Sequence, residues 1–85
     1  MRRGDLEFRQ LENRDPQIVH WKEDSLGNNF CYTLMFFEKN SEGFHANFVL
    51  DRPMQYEDFS ALWSLMRYAQ KILDAKFELD NHDTI

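Results

Sequence analysis

At 85 residues, with 10 Lys and Arg against 15 Asp and Glu, the chain carries a net charge of −5, which argues against direct nucleic-acid binding, since such proteins present a basic face. This length makes one domain that buries only somewhat over about 60% of its unfolded surface, while 15% aromatic residues, eight of them Phe, argue against a disordered tail. The lone Cys31 excludes an internal disulfide framework and fits a reducing cytoplasm, and no apolar run approaches the roughly 18 residues of a membrane span.

In chain order, Met1-Arg2-Arg3 is basic, but no apolar segment follows, so no signal peptide is expected. Residues 1–5 read as a flexible terminus. Leu6 to Glu12 reads as a short strand, with Leu6 and Phe8 on one side. Asn13-Arg14-Asp15-Pro16 is a turn, because Asn and Asp bond their own backbone and Pro presets φ. Gln17 to Glu23 is a second strand, with Val19 and Trp21 on one face and Ile18 and His20 on the other. Asp24 to Asn29 is a loop whose Gly and Asn tolerate positive φ.

Phe30 to Glu38 is the strongest strand, aromatic and apolar and bounded by turn residues. Lys39 to Gly43 suits a type I turn closed by a glycine bulge, and Phe44 to Asp51 is the return strand. That loop pairs even-numbered with even-numbered residues. Tyr32, Leu34 and Phe36 then share the inward face with Phe44, Ala46, Phe48 and Leu50. Thr33, Met35, Phe37, Asn47 and Val49 face outward, with Val19 and Trp21 joining them. A slip of one residue inverts every side chain of the slipped strand.

Arg52 to Gln55 links sheet to helix, and Pro53 marks a helix start. Tyr56 to Leu79 contains no Gly or Pro and is the one run long enough for a full helix; Glu57 and Asp58 favour the dipole in its first turn. Phe59, Leu62, Trp63, Met66, Leu73 and Phe77 recur at helical spacing. Ala61, Leu65, Tyr68, Ile72 and Leu79 form a second stripe beside them. Together they cover on the order of 200° of the helix, about twice the roughly 100° that one packed face requires. The helix is expected to fray near Asp80-Asn81, with residues 82–85 flexible. The predicted fold is α+β: a four-stranded antiparallel β-meander with one long C-terminal helix packed across one face, ββββα, ordered over about 6–80. The expected core is Leu34, Phe36, Phe48, Leu50, Leu62, Trp63, Met66 and Leu73.

Few residues suggest chemistry. His20, Cys31 and His45 all fall on strands, but a zinc site usually takes four ligands in close pairs, and no such spacing exists; no metal and no cofactor is expected. Cys31 reads as a structural free thiol. The adjacent acids Glu23-Asp24 and Glu57-Asp58 diverge on a strand or helix, and no nucleophile elbow, P-loop, zincin or dinucleotide motif is present. No catalytic residue is therefore assigned and no enzyme is expected. Two nucleic-acid roles are weaker alternatives. Sheet aromatics stack bases only within a basic surround, and a DNA mimic needs acids along one face, whereas here Lys and Arg are interspersed with them. A small enzyme with a site at a dimer interface is a third alternative.

What remains is surplus apolar surface, which marks interaction sites. The expected interface is Leu65, Tyr68 and Ile72 on the helix flank, or Met35, Phe37, Val49 and Trp21 on the outer sheet. The expectation is a homodimeric, cytoplasmic protein-binding module that docks on or inhibits a larger protein. In size and charge it is similar to small acidic accessory proteins of phages and mobile elements.

Overall fold

The structure, a computed structural model, describes residues 1–49 and 53–82. The α+β architecture is as expected, with one more strand. β1 (Arg2–Arg3), β2 (Leu6–Arg9), β3 (Gln17–Glu23), β4 (Asn29–Asn40) and β5 (Gly43–Phe48) form one antiparallel sheet in sequential order. Helix α1 (Tyr56–His82) crosses one face.

The additional strand lies where a loose terminus was expected. Gly4, at φ 57°, lets the chain reverse between β1 and β2. Phe8 N–H then donates to the Met1 carbonyl at 2.8 Å, and the Met1 ammonium donates to the Phe8 carbonyl at 3.2 Å. Strand β2 ends at Arg9, short of Glu12, and the chain turns through Asn13 at φ 63°, a conformation that Asn tolerates better than most residues. In the loop between β3 and β4, the Asp24 carboxylate accepts hydrogen bonds from the backbone N–H groups of Leu26 and Asn28 at 2.9 and 2.8 Å. The Asn28 bond leads in holding the Asp24 pKa below its usual value. The helix is longer than expected and runs past Asp80-Asn81 to His82; residues 83–85 lie outside the described residues.

The largest correction concerns the register of β4. The strand continues to Asn40, and Ser41-Glu42 makes the reversal, with Asn40 opposite Gly43. The Asn40 side chain accepts from Glu42 N–H at 2.8 Å, tightening the turn. Odd-numbered residues of β4 now oppose even-numbered residues of β5: Met35 faces Phe48 and Phe37 faces Ala46. Met35 and Phe37 therefore point into the core, not outward, and are buried there. Phe36 moves to the outer face opposite Asn47 and is half-buried.

A bulge in β4 reconciles this inversion with the β3 side of the sheet. Ile18 pairs with Met35 but Val19 pairs with Thr33, so Leu34 is the extra residue. On one side of it Tyr32 lies opposite inward-facing His20; on the other Met35 lies opposite inward-facing Ile18. Leu34 is itself buried, so two consecutive residues of β4 enter the core.

That core joins Leu6, Phe8, Ile18, Leu34, Met35 and Phe37 of the sheet to Leu62, Leu65, Ala69 and Leu73 of the helix. The helix is rotated from the expected seating. It rests on the boundary between its two apolar stripes, with Leu62 and Leu73 from one, Leu65 from the other, and Ala69 between them. The small Ala69 side chain, fully buried, lets the helix backbone lie close to the sheet. Of the expected core, Leu34, Leu62 and Leu73 are buried and Met66 is partly buried. Trp63 and Phe48 are 58% and 56% exposed, and Leu50 lies outside the described residues.

Phe48→Ala accordingly removes a side chain that is mostly in water already. It should cost about 1 kcal/mol or less, against about 3–5 kcal/mol for a buried Phe; urea unfolding measures the difference. A loss in the upper range would restore the even-to-even register.

Candidate functional site

The rotation of α1 leaves its surplus apolar surface on one side. Trp63 and Phe59, one helical turn apart, both stand mostly in solvent. Between this flank and the β5 end of the sheet runs a groove of about 300 Å³. Its floor is Met35, Phe37, Phe44 and Ala46, and its helix wall is Trp63, Met66, Arg67, Gln70, Leu73 and Asp74. Lys39 lies 5.9 Å from the centre of the Phe77 ring.

Beside the groove, β5 is the last strand of the sheet. It pairs with β4 on one side and, among the described residues, with nothing on the other. Its sequence, Gly-Phe-His-Ala-Asn-Phe, has no Lys, Arg, acid or Pro. These are the residues by which natural edge strands resist pairing with another chain. The opposite edge differs: β1 is two residues long, and both are Arg. Of the two edges, only that of β5 is long enough and neutral enough to receive another strand.

The residues expected to form an interface mostly serve other purposes. Leu65, Met35 and Phe37 are buried in the core; Leu65 presents no surface to a partner, and Met35 and Phe37 reach one only as the floor of the groove. Ile72 packs partly against that core. Tyr68 is 37% exposed and meets the Phe8 ring edge-on, centroids 6.0 Å apart. Trp21 lies on the outer face between the Arg2 and Arg9 guanidinium groups, 5.8 and 5.9 Å from the ring, and its indole N–H donates to Glu7 at 3.2 Å. Val49 alone of the set is well exposed without a ring or ion partner of this kind, just beyond β5. Phe48 and Trp63, assigned to the core by strand alternation and helical periodicity, instead face solvent, as does Phe59 of the same helical stripe. Nothing in a helical repeat distinguishes a residue on the packed side of an apolar arc from one on its margin.

His20, Cys31 and His45 do not converge. Cys31 lies on the outer face opposite Trp21, where Arg9 Nη1 approaches its sulfur at 3.5 Å. His45 lies at the hairpin end of β5, hydrogen-bonded to Asn40. His20 points inward and is 4% exposed, its Nδ1 hydrogen-bonded to the Tyr32 hydroxyl at 3.0 Å. Burial and then Lys22 push the His20 pKa below its usual value, while Asp58 and Asp5 act in the opposite direction.

The chain is thus a two-layer α+β domain with an open edge strand beside an apolar groove. Comparison with known proteins yielded no matching family model, no matching curated protein and no matching solved structure. Among the described residues, no helix is long and apolar enough to cross a membrane.

Proposed function

We propose that the chain is a protein-binding module whose groove and β5 edge take a second copy of the same chain, giving a homodimer. The observation that carries this reading is the coincidence, on one side of the molecule, of an unguarded edge strand with the uncovered flank of the helix. Two β5 strands pairing antiparallel across a two-fold axis would extend the sheet from five strands to ten. Backbone donors and acceptors would be satisfied on both edges at once. The same operation sets the two α1 flanks facing each other above the joined sheets, covering the groove of each copy.

The charges on the groove wall suit this symmetry. Arg67 and Asp74 lie seven residues apart on the same side of α1, with Gln70 between them. An axis passing near Gln70 brings Arg67 of each copy towards Asp74 of the other, so the two pairings are reciprocal and attractive. A standard interface buries roughly 800 Å² per partner, and at about 25 cal/mol per Å² the gain is substantial, part of it cancelled by the entropy of association. A dimer built this way keeps its outer sheet face free for a larger protein partner.

Light scattering at micromolar concentration should give about twice the chain mass. Phe48→Glu with Trp63→Glu changes two residues that are exposed in the single chain and should give a folded monomer with an unaltered far-UV spectrum. Arg67→Asp should weaken the dimer, and adding Asp74→Arg should restore it. A wild-type chain that stays monomeric at every concentration, or a dimer indifferent to Phe48 and Trp63, would rule this reading out.

A further inference from the structure

We propose that Asp5, His20 and Asp58 form a binding site for a divalent first-row transition-metal ion. The three residues come from separate elements: the turn between β1 and β2, the middle of β3, and the first turn of α1. Each offers one donor atom, and the three atoms lie within 4.8 Å of one another. Ligands held about 2.0–2.2 Å from a tetrahedral ion stand roughly 3.4 Å apart. The remaining closure is small, and Asp5, being exposed, is free to rotate into it.

The histidine is the distinguishing member. Its ring is buried at 4% exposure, yet Nε2 lies 3.9 Å from Oδ2 of Asp58, beyond hydrogen-bonding reach. At the far side of the ring, Tyr32 and Nδ1 are hydrogen-bonded at 3.0 Å. A metal ion at Nε2 requires the tautomer in which Nδ1–H donates to the Tyr32 oxygen, and the Tyr32 hydroxyl, which can donate or accept, accommodates it. A cation at that point would offset the repulsion between the two neighbouring carboxylates and take the imidazole nitrogen as a third ligand. The Tyr32 bond holds the ring's orientation, as outer partners of metal-bound histidines do.

The backbone supports the same geometry. Trp21 N–H donates to the Asp5 carbonyl at 2.8 Å, tying the turn to β3 beside His20. Asp58 is held on the helix side that faces the sheet. One imidazole nitrogen with two carboxylate oxygens suits Zn²⁺ or a neighbouring transition ion, whereas Mg²⁺ and Ca²⁺ prefer all-oxygen sites. Three protein ligands leave one position for water. The bound ion would clip the start of the helix and the N-terminal turn to the central strand. None of the three residues lines the groove, so this site stands or falls independently of the homodimer.

The test adds Zn²⁺ to metal-stripped full-length protein and follows thermal unfolding, calorimetric stoichiometry and the imidazole NMR signals. One ion per chain should bind. At about a hundred-fold over Kd the midpoint should rise on the order of 10 °C, and among the three histidines the His20 ring should shift. Asp5→Asn and Asp58→Asn should each fold without metal and lose most of that rise. Three results would overturn the site: no shift with Zn²⁺ up to millimolar concentration, an equal shift in both variants, or an equal shift with Mg²⁺. A zinc-dependent change confined to His45 and His82 would do the same.

Discussion

Leu65→Ala should destabilise the domain by about 2–5 kcal/mol, the range for truncating a buried Leu. Leu65 has no solvent exposure and belongs to the core with Leu62, Ala69 and Leu73 of its own element and the sheet residues beneath them. A domain of this length holds roughly 4–13 kcal/mol in all, so the substitution removes a large share of what keeps it folded. The expected fall in thermal midpoint is about 4–8 °C per kcal/mol for a chain of this size. Leu65→Glu is more severe, because it strands a charge in an apolar core with no partner. The pair Leu65→Glu with Ile72→Glu, which would release a folded monomer if Leu65, Tyr68 and Ile72 formed the interface, should instead leave an unfolded chain. Far-UV circular dichroism and a urea titration separate the two outcomes. A folded Leu65→Glu monomer would place the helix with its other stripe on the sheet.

Phe8→Ala should rank beside it, towards the top of the about 3–5 kcal/mol expected for a buried Phe. Phe8 lies on β2, 4% exposed, and meets two other rings edge-on: Phe37 of β4 at 6.1 Å and Tyr68 of α1 at 6.0 Å. It therefore links two strands and the helix in one aromatic cluster, and each edge-to-face pair is worth about 0.5–1.5 kcal/mol beyond the area it buries. Phe8→Leu keeps most of the volume but loses the rings, and should cost appreciably less than Phe8→Ala. Phe48→Ala, which removes the same atoms from an exposed site, is the control. Equal losses at Phe8 and Phe48 in urea unfolding would contradict the placement of both.

Strand alternation and helical periodicity were legible from residue types alone. Ile18 and His20 share a face because they are two apart on β3, and Val19 and Trp21 share the other for the same reason. The Gly- and Pro-free run from Tyr56 could only be a helix, and its acidic first turn marked where it begins. The short N-terminal strand was not legible. Two arginines and a glycine have no strand signal of their own, and only the β2 edge beside them gives β1 its partners. The groove was partly legible, as an apolar arc too wide for one sheet, but with its residues misassigned. The Asp5–His20–Asp58 cluster was invisible to spacing, since 15 and 38 residues separate its members along the chain.

What the sequence determined by itself was the class of fold, the number of long elements and the existence of surplus apolar surface, because each depends on local periodicity and composition. What only the tertiary structure decided was which apolar residues are inside. That turned on two choices of a single residue, the reversal at Ser41-Glu42 and the bulge at Leu34. Both strand faces are apolar over Phe30–Phe37, so hydrophobicity gives no preference between the two parities. The choice is made by packing: Met35 and Phe37 join Leu62, Leu65, Ala69 and Leu73 in one core, the helix seats on the boundary of its two stripes, and Phe59 and Trp63 are left mostly in solvent.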